Sequence, residues 1–190
     1  MNALHDAANV PHAARLRVED FLLLQEHGAF DDYSKSELIE GEIICMNSQF
    51  SRHARVKSNL AFELETCLRG MKSPLQAIVE VAVAVSADTM PEPDIVLTSF
   101  RANGPVPLDT VALVIEVADT TLATDLGRKA DIYARVGIPE YWVIDLNEDR
   151  CLLHMGTGPD GYAEQIDVPF GEVLISATID GLKAGTAGLA

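Results

Sequence analysis

The sequence is poor in cysteine, in basic residues and in long apolar runs, and each shortage removes a class of protein. Its three cysteines, Cys45, Cys67 and Cys151, are odd in number and widely spaced. They match neither a disulfide framework nor a zinc-ligand spacing, and they read as reduced, mostly buried thiols. Lys and Arg number 14 against 29 Asp and Glu, a formal net charge of -15. That total gives no support to a basic face gripping phosphates. It suits carboxylates that need cations, or simply an acidic soluble surface. No apolar run approaches the ~20 residues of a membrane-spanning helix. The opening "MNALHDAANVPHAARLR" also has no apolar stretch of the signal-peptide kind, so the expectation is a cytoplasmic chain with no membrane partner. Neither G-x-G-x-x-G nor a P-loop occurs, and Gly-x-Ser-x-Gly and His-Glu-x-x-His are missing too. Internal repeats and low-complexity linkers are likewise lacking.

What is present is a chain of 190 residues, 48% hydrophobic and 23% charged, a size and balance that fit one domain around one core. Residues 1–17 read as a flexible N-terminal tail and 18–190 as a single domain. "RVEDFLLLQEH" has the pattern of a short amphipathic helix with Glu19 and Asp20 in its first turn. "SELIEGEIICM" reads as a bent strand or hairpin about Gly41. From Ser51 to Arg69, Val56, Leu60, Leu64, Cys67 and Leu68 recur at helical spacing, with Gly70 as the terminator. Three strands follow, "AIVEVAVAVS", "PDIVLTS" and "VALVIEVA", with Glu80 in the first reading as a solvent-facing strand residue in preference to an outer neighbour of a metal. A helix over Thr124 to Val136 closes at Gly137-Ile138-Pro139, and "YWVIDL" is a further buried strand, in which Tyr141 and Trp142 pack the core. "RCLLHM" and "GEVLIS" read as edge strands and hairpins. The fold class is therefore α/β (α+β), a mixed central sheet flanked by helices, with core order α-β-β-β-α-β and additions at both ends.

Two acids stand out in these strands. Strand alternation places Glu116 on one face with Val114 and Ala118, leaving Leu113, Ile115 and Val117 on the other. An ionised carboxylate there costs several kcal/mol in order of magnitude unless a cation or donors meet it. Asp94 opens the neighbouring strand just after Pro93, and antiparallel pairing brings it beside Glu116. Two converging carboxylates with carbonyl groups and water make a hard-oxygen site suited to Mg²⁺ or Mn²⁺. Structural readings stand beside this one: Asp94 as a turn cap, and Glu116 paired with a buried arginine such as Arg128. On the next helix, Asp125, Lys129 and Tyr133 form one stripe. Facing the sheet, that stripe carries the Lys129 ammonium over the two acids; facing water, Asp125 and Lys129 are an ordinary surface pair. His12, His27 and His154 have no convincing ligand spacing.

The run "SELIEGEIICM", His53 at a helix start, "PEPDIV", "LVIEVAD", the Asp125-Lys129-Tyr133 helix and "GIPEYWVIDL" together resemble the Uma-two family of restriction endonuclease-like proteins, within the PD-(D/E)xK nuclease superfamily. The likeness runs from about Val18 to Leu182. It implies a restriction endonuclease-like fold and a divalent-metal phosphodiesterase centre in which Asp94 and Glu116 hold the ion. It also implies that Glu37 and His53 supply a further ligand or an acid-base group. The superfamily's usual lysine lies two residues after the acid, where this chain has Ala118; the Uma-two pattern has a lysine on the next helix, which Lys129 matches. The expectation is thus a Mg²⁺-dependent (or Mn²⁺-dependent) endonuclease, acting on DNA rather than RNA and working as a homodimer. A basic rim is expected from Arg52, Arg55, Lys57, Arg101 or Arg128. The alternative is a catalytically inactive nuclease-fold domain that acts by protein association, antitoxin-like or regulatory.

Overall fold

The computed structural model describes residues 13–189; the first twelve residues of the expected tail, His12 among them, lie outside them. The last residues of that stretch are tied down, because the Leu16 amide donates to the Gly41 carbonyl and Arg15 reaches the Glu40 carbonyl. Helix α1 (Val18–Glu26) follows. It buries only Phe21, which stacks on Phe30, while Leu22, Leu23 and Leu24 remain on the outer face. Strands β1 (Lys35–Ile39) and β2 (Glu42–Met46) form the hairpin read from "SELIEGEIICM". Glu40 and Gly41 both have positive φ at its turn, the backbone that matches the twist of a two-residue hairpin.

Helix α2 (Ser51–Gly70) buries Val56, Leu60, Leu64 and Leu68 as its spacing requires. Gly70 is helical rather than a terminator; the chain turns at Lys72, which takes the left-handed conformation. The stretch "AIVEVAVAVS" is not one strand. It breaks at Glu80, whose φ is +49°, into β3 (Gln76–Val79) and β4 (Val83–Ala84). Then come β5 (Ile95–Thr98), β6 (Val106–Pro107) and β7 (Val111–Ala118). Helical segments α3 (Leu122–Thr124) and α4 (Ala130–Arg135) flank a π-helical turn over Asp125–Lys129. The chain continues through β8 (Glu140–Asp145), β9 (Arg150–Gly158), β10 (Gly161–Pro169), β11 (Val173–Ile175) and β12 (Lys183–Gly185).

The central sheet has six strands in the order β10-β9-β8-β7-β5-β3, antiparallel except for the β7–β8 pair, which the α3–α4 crossover joins. The "RCLLHM" segment is therefore interior, and β10 is the edge. Side chains of β7 divide as alternation demands. Leu113, Ile115 and Val117 meet α2 in one core, while Val114 and Ala118 meet Tyr133 and Tyr141 in the other. The acids and the lysine between the two helices thus come from the middle of the fold. The hairpin joins them through paired hydrogen bonds between Leu38 and Met90, which bring Glu37 beside the segment leading into β5.

Candidate active site

Ile95 pairs with Ile115 in the β5–β7 ladder, so the residues just outside that pair, Asp94 and Glu116, come together. The Asp94 amide lies 3.4 Å from Glu116 Oε2 as donor. Asp94 Oδ2 accepts the Val117 amide at 2.8 Å and lies 3.3 Å from His53 Nε2. Its other oxygen, Oδ1, is buried and accepts no hydrogen bond, with Lys57 Nζ 3.6 Å away. Burial alone raises such a carboxyl, but the His53 hydrogen bond, the nearby Lys35 and the Val117 amide overcome it, and Asp94 is held well below the ordinary carboxylate range.

Glu116 has the opposite balance. Burial dominates, and against the pull of Lys129 it pushes the carboxyl up to about 8. Lys129 donates to Glu116 Oε1 at 2.9 Å and lies 3.0 Å from Glu37 Oε2; Tyr133 O–H also donates to Glu116 Oε1, at 3.3 Å. Burial disfavours the charged ammonium, yet Glu116, Glu37 and Asp125 around it hold Lys129 above the ordinary lysine value. The π-helical turn supplies this geometry: it carries both Asp125 and Lys129 inward, and both are buried. The surface-pair reading of Asp125 and Lys129 is thereby corrected. Arg128, on the same turn, points elsewhere, to Glu40, Glu42 and the Ile39 carbonyl, so it is not the partner of Glu116.

Glu37 is fixed from the other side, accepting the Glu92 amide at 2.9 Å. His53, in the first turn of α2, donates Nε2–H to the Val117 carbonyl at 2.6 Å. Since a carbonyl only accepts, Nε2 carries a hydrogen, and the other ring nitrogen, Nδ1, is buried without a partner. All five residues singled out in the sequence, Glu37, His53, Asp94, Glu116 and Lys129, therefore converge. Two more lysines join them unforeseen as members. Lys35 lies 3.7 Å from Glu37 and is held above its ordinary value, with Glu116, Glu37 and Asp94 outweighing its burial. Lys57 bonds to Glu80 and Gln49. Their signals were spacing: Lys35 shares a strand face with Glu37 at i,i+2, and Lys57 follows His53 at i,i+4 on the buried stripe of α2.

The expected basic rim is largely spent within the fold. Arg52 binds the Leu146 carbonyl and Asp149, Arg101 binds Gln76 and the Pro74 carbonyl, and Lys57 is buried. Three depressions border the site. The largest two, of about 370 Å³ each, are lined by His53 with Asn47, Asp119 and Thr120, and by Glu37 with Ile44 and Lys129.

Among the described residues no group of three or more His, Cys, Asp or Glu is arranged to hold a metal. Two carboxylates, one with a buried oxygen lacking any donor, do fit Mg²⁺ or Mn²⁺, which keep most of their waters and need only one or two protein carboxylates. No helix among the described residues is long and apolar enough to cross a membrane.

Sheet, crossover helix and acid-lysine centre define a protein of the restriction endonuclease-like class. The chain belongs to the Uma2 family, described as "Putative restriction endonuclease", which matches residues 18–187. Among solved structures, a "putative nuclease belonging to DUF820 from Anabaena variabilis ATCC 29413" is similar over 92% of this chain and 97% of that one. Identity is 17% and the TM-score 0.67, a likeness in fold. No curated protein matches.

Proposed function

We propose that this chain is a divalent-metal-dependent endonuclease that hydrolyses phosphodiester bonds, DNA in preference to RNA, in the cytoplasm and as a homodimer. The observation that carries the reading is Asp94 Oδ1: a buried carboxylate oxygen without a donor, beside Glu116 and with the Lys57 ammonium 3.6 Å away. Asp94 and Glu116 would hold Mg²⁺ or Mn²⁺. When bound, the ion supplies Lewis-acid stabilisation of charge growing on the scissile phosphate. Lys129 keeps Glu116 oriented, orients the attacking water and offsets phosphate charge from the α3–α4 side. His53, beside Asp94, serves as the acid-base group or a further ligand, while Glu37 fixes the Lys129 ammonium. Family membership and the nuclease fold support the reaction class.

The test is Mn²⁺ or Mg²⁺ calorimetry on the wild type, Asp94→Ala and Glu116→Ala, followed by nicking of supercoiled DNA with the same samples. Wild-type binding and nicking that both vanish in the variants is the expected outcome; nicking that persists in Asp94→Ala refutes the assignment. A second reading, an inactive domain working through protein association, is favoured by one observation, the engagement of Arg52, Arg101 and Arg128 within the fold. Metal binding without nicking of any nucleic acid would select it.

A further inference from the structure

Lys57 and Lys129 approach the two acids from opposite helices, but they are held differently. Lys129 is held between Glu116 and Glu37, whose side chains are 4% and 1% exposed, so both of its carboxylate partners are fixed within the core. Lys57 lies 3.6 Å from Asp94 Oδ1 and is bonded to Glu80, whose side chain is 52% exposed. Glu80 sits at the break between β3 and β4 with φ of +49°, a conformation that a side chain adopts at a cost and that persists where the surroundings impose it. Here the Glu80 amide donates to the Asp94 carbonyl at 3.2 Å. That bond fixes the strand break to the acid and sets the Glu80 carboxylate over the Lys57 ammonium. Beside them lies a pocket of about 100 Å³ lined by Lys35, Asn47, Gln49, Glu80 and Glu92. A carboxylate on an ammonium presents the same oxygen acceptors as a phosphodiester.

We propose that Lys57 is the phosphate-contacting lysine of the centre and that Glu80 is its displaceable counterion, swung aside when a phosphodiester oxygen takes its place. This inference rests on the phosphodiesterase reading above and assigns a different residue to the direct phosphate contact. Lys57 thereby brings a cation to the two acids from α2. It also makes the acidic chain selective: weak anions do not displace Glu80, whereas a phosphodiester held by further contacts does.

The probe is thymidine 3′,5′-bisphosphate, titrated by calorimetry in Ca²⁺ into wild type, Glu80→Gln, Lys57→Met and the double variant, with plasmid nicking in Mg²⁺ alongside. Glu80→Gln removes the competitor on a half-exposed side chain, so it should fold normally and tighten binding about fivefold, the upper range for an exposed ion pair. Lys57→Met should weaken binding by about tenfold or more, the loss of a charge-assisted hydrogen bond. The double variant should match Lys57→Met, because Glu80 acts through the lysine. Unchanged, weaker or undetectable binding in Glu80→Gln overturns the proposal. So does a double variant that still binds more tightly than Lys57→Met. Should the binding order hold while no sample nicks DNA, the lysine assignment stands and the endonuclease reading falls; nicking at the wild-type rate by folded Lys57→Met sinks the assignment and leaves that reading intact.

Discussion

Asp94 and Glu116 are tied by two amide-to-carboxylate bonds: the Asp94 amide faces Glu116 Oε2 at 3.4 Å, while Asp94 Oδ2 takes the amide of Val117, the residue after Glu116, at 2.8 Å. The β5–β7 register fixes both bonds, since Ile95 opposite Ile115 leaves the acids no other place. A one-residue slip would send Glu116 into the α2 core. The pair is therefore as rigid as the sheet itself, which is what a site that holds a cation between two carboxylates needs.

Removing Lys129 should cost stability as well as any activity. Its ammonium is the hydrogen-bonded cation between Glu116 and Glu37, all three buried. Deleting one member of a buried ionic group leaves uncompensated charge, typically about 3–5 kcal/mol. Urea denaturation of Lys129→Met above about pH 8, where Glu116 is ionised, should show a loss of that order, and Glu116→Gln added to it should restore part of the loss. If the single variant is as stable as wild type, the ammonium is not the compensating charge.

Much of this site was legible because its parts obey periods. Period two on β7 put Glu116 opposite the α2 face, and i,i+4 spacing aligned Asp125, Lys129 and Tyr133. The hairpin about Gly41 and the α2 stripe were legible for the same reason. Strand breakage at Glu80 was not, because "AIVEVAVAV" is uniformly β-forming and nothing local marks a glutamate for positive φ; the amide bond to the Asp94 carbonyl, a tertiary contact, decides it. Lys57 was legible only as a cation, since a lysine on a buried helix face is meaningful only once the acid across from it is known. The π-helical turn was also hidden, because its residues differ from α-helical ones only in the bond each amide makes.

Gly70 and Lys72 give a stability prediction that separates the two descriptions of the end of α2. A Cβ at Gly70 meets nothing within 4 Å and its φ is not positive, so Gly70→Ala should stabilise by about 0.5–1 kcal/mol. Lys72 has φ of +55°, and Lys72→Gly should relieve strain of about 1 kcal/mol. Thermal melts that fall for Gly70→Ala would restore Gly70 as the terminator.

Glu140 should prove structural despite standing in the "GIPEYWVID" motif. Fully buried, it accepts hydrogen bonds from Trp142 Nε1, Ser176 Oγ, Thr178 Oγ1 and the amides of Ala177 and Thr178. It thus clamps the chain after β11 to the start of β8. Glu140→Ala strands these donors and should cost more than about 3 kcal/mol. Trp142 is the sole tryptophan, so its emission reports the lost bond directly. An unshifted spectrum and melting temperature would show that the clamp is dispensable.

The two acids of the centre should respond to pH in opposite senses, and the sign can be followed group by group. Glu116 is raised in the folded state from 4.5 to about 8. Its contribution to stability is therefore present below its unfolded value and lost as pH rises through about 8. Asp94 is lowered, so its contribution is present above its unfolded value of 3.8 and lost only as pH falls below it. Above about pH 4.5 the Glu116 effect is joined by Asp125 and Glu92, whose carboxyls burial also raises, and opposed by His154, which burial lowers; metal-free wild type should lose stability as pH rises toward 8, with Glu116 the largest contributor. Glu116→Gln cannot ionise and should flatten the slope in urea titrations run at a series of pH values. A divalent ion prefers the carboxylate, so binding at pH 7 should release close to one proton from wild type and none from Glu116→Gln. Calorimetry in two buffers of different ionisation enthalpy counts that proton. Equal counts for both proteins would mean that Glu116 is already ionised before the ion arrives, with Lys129 outweighing burial.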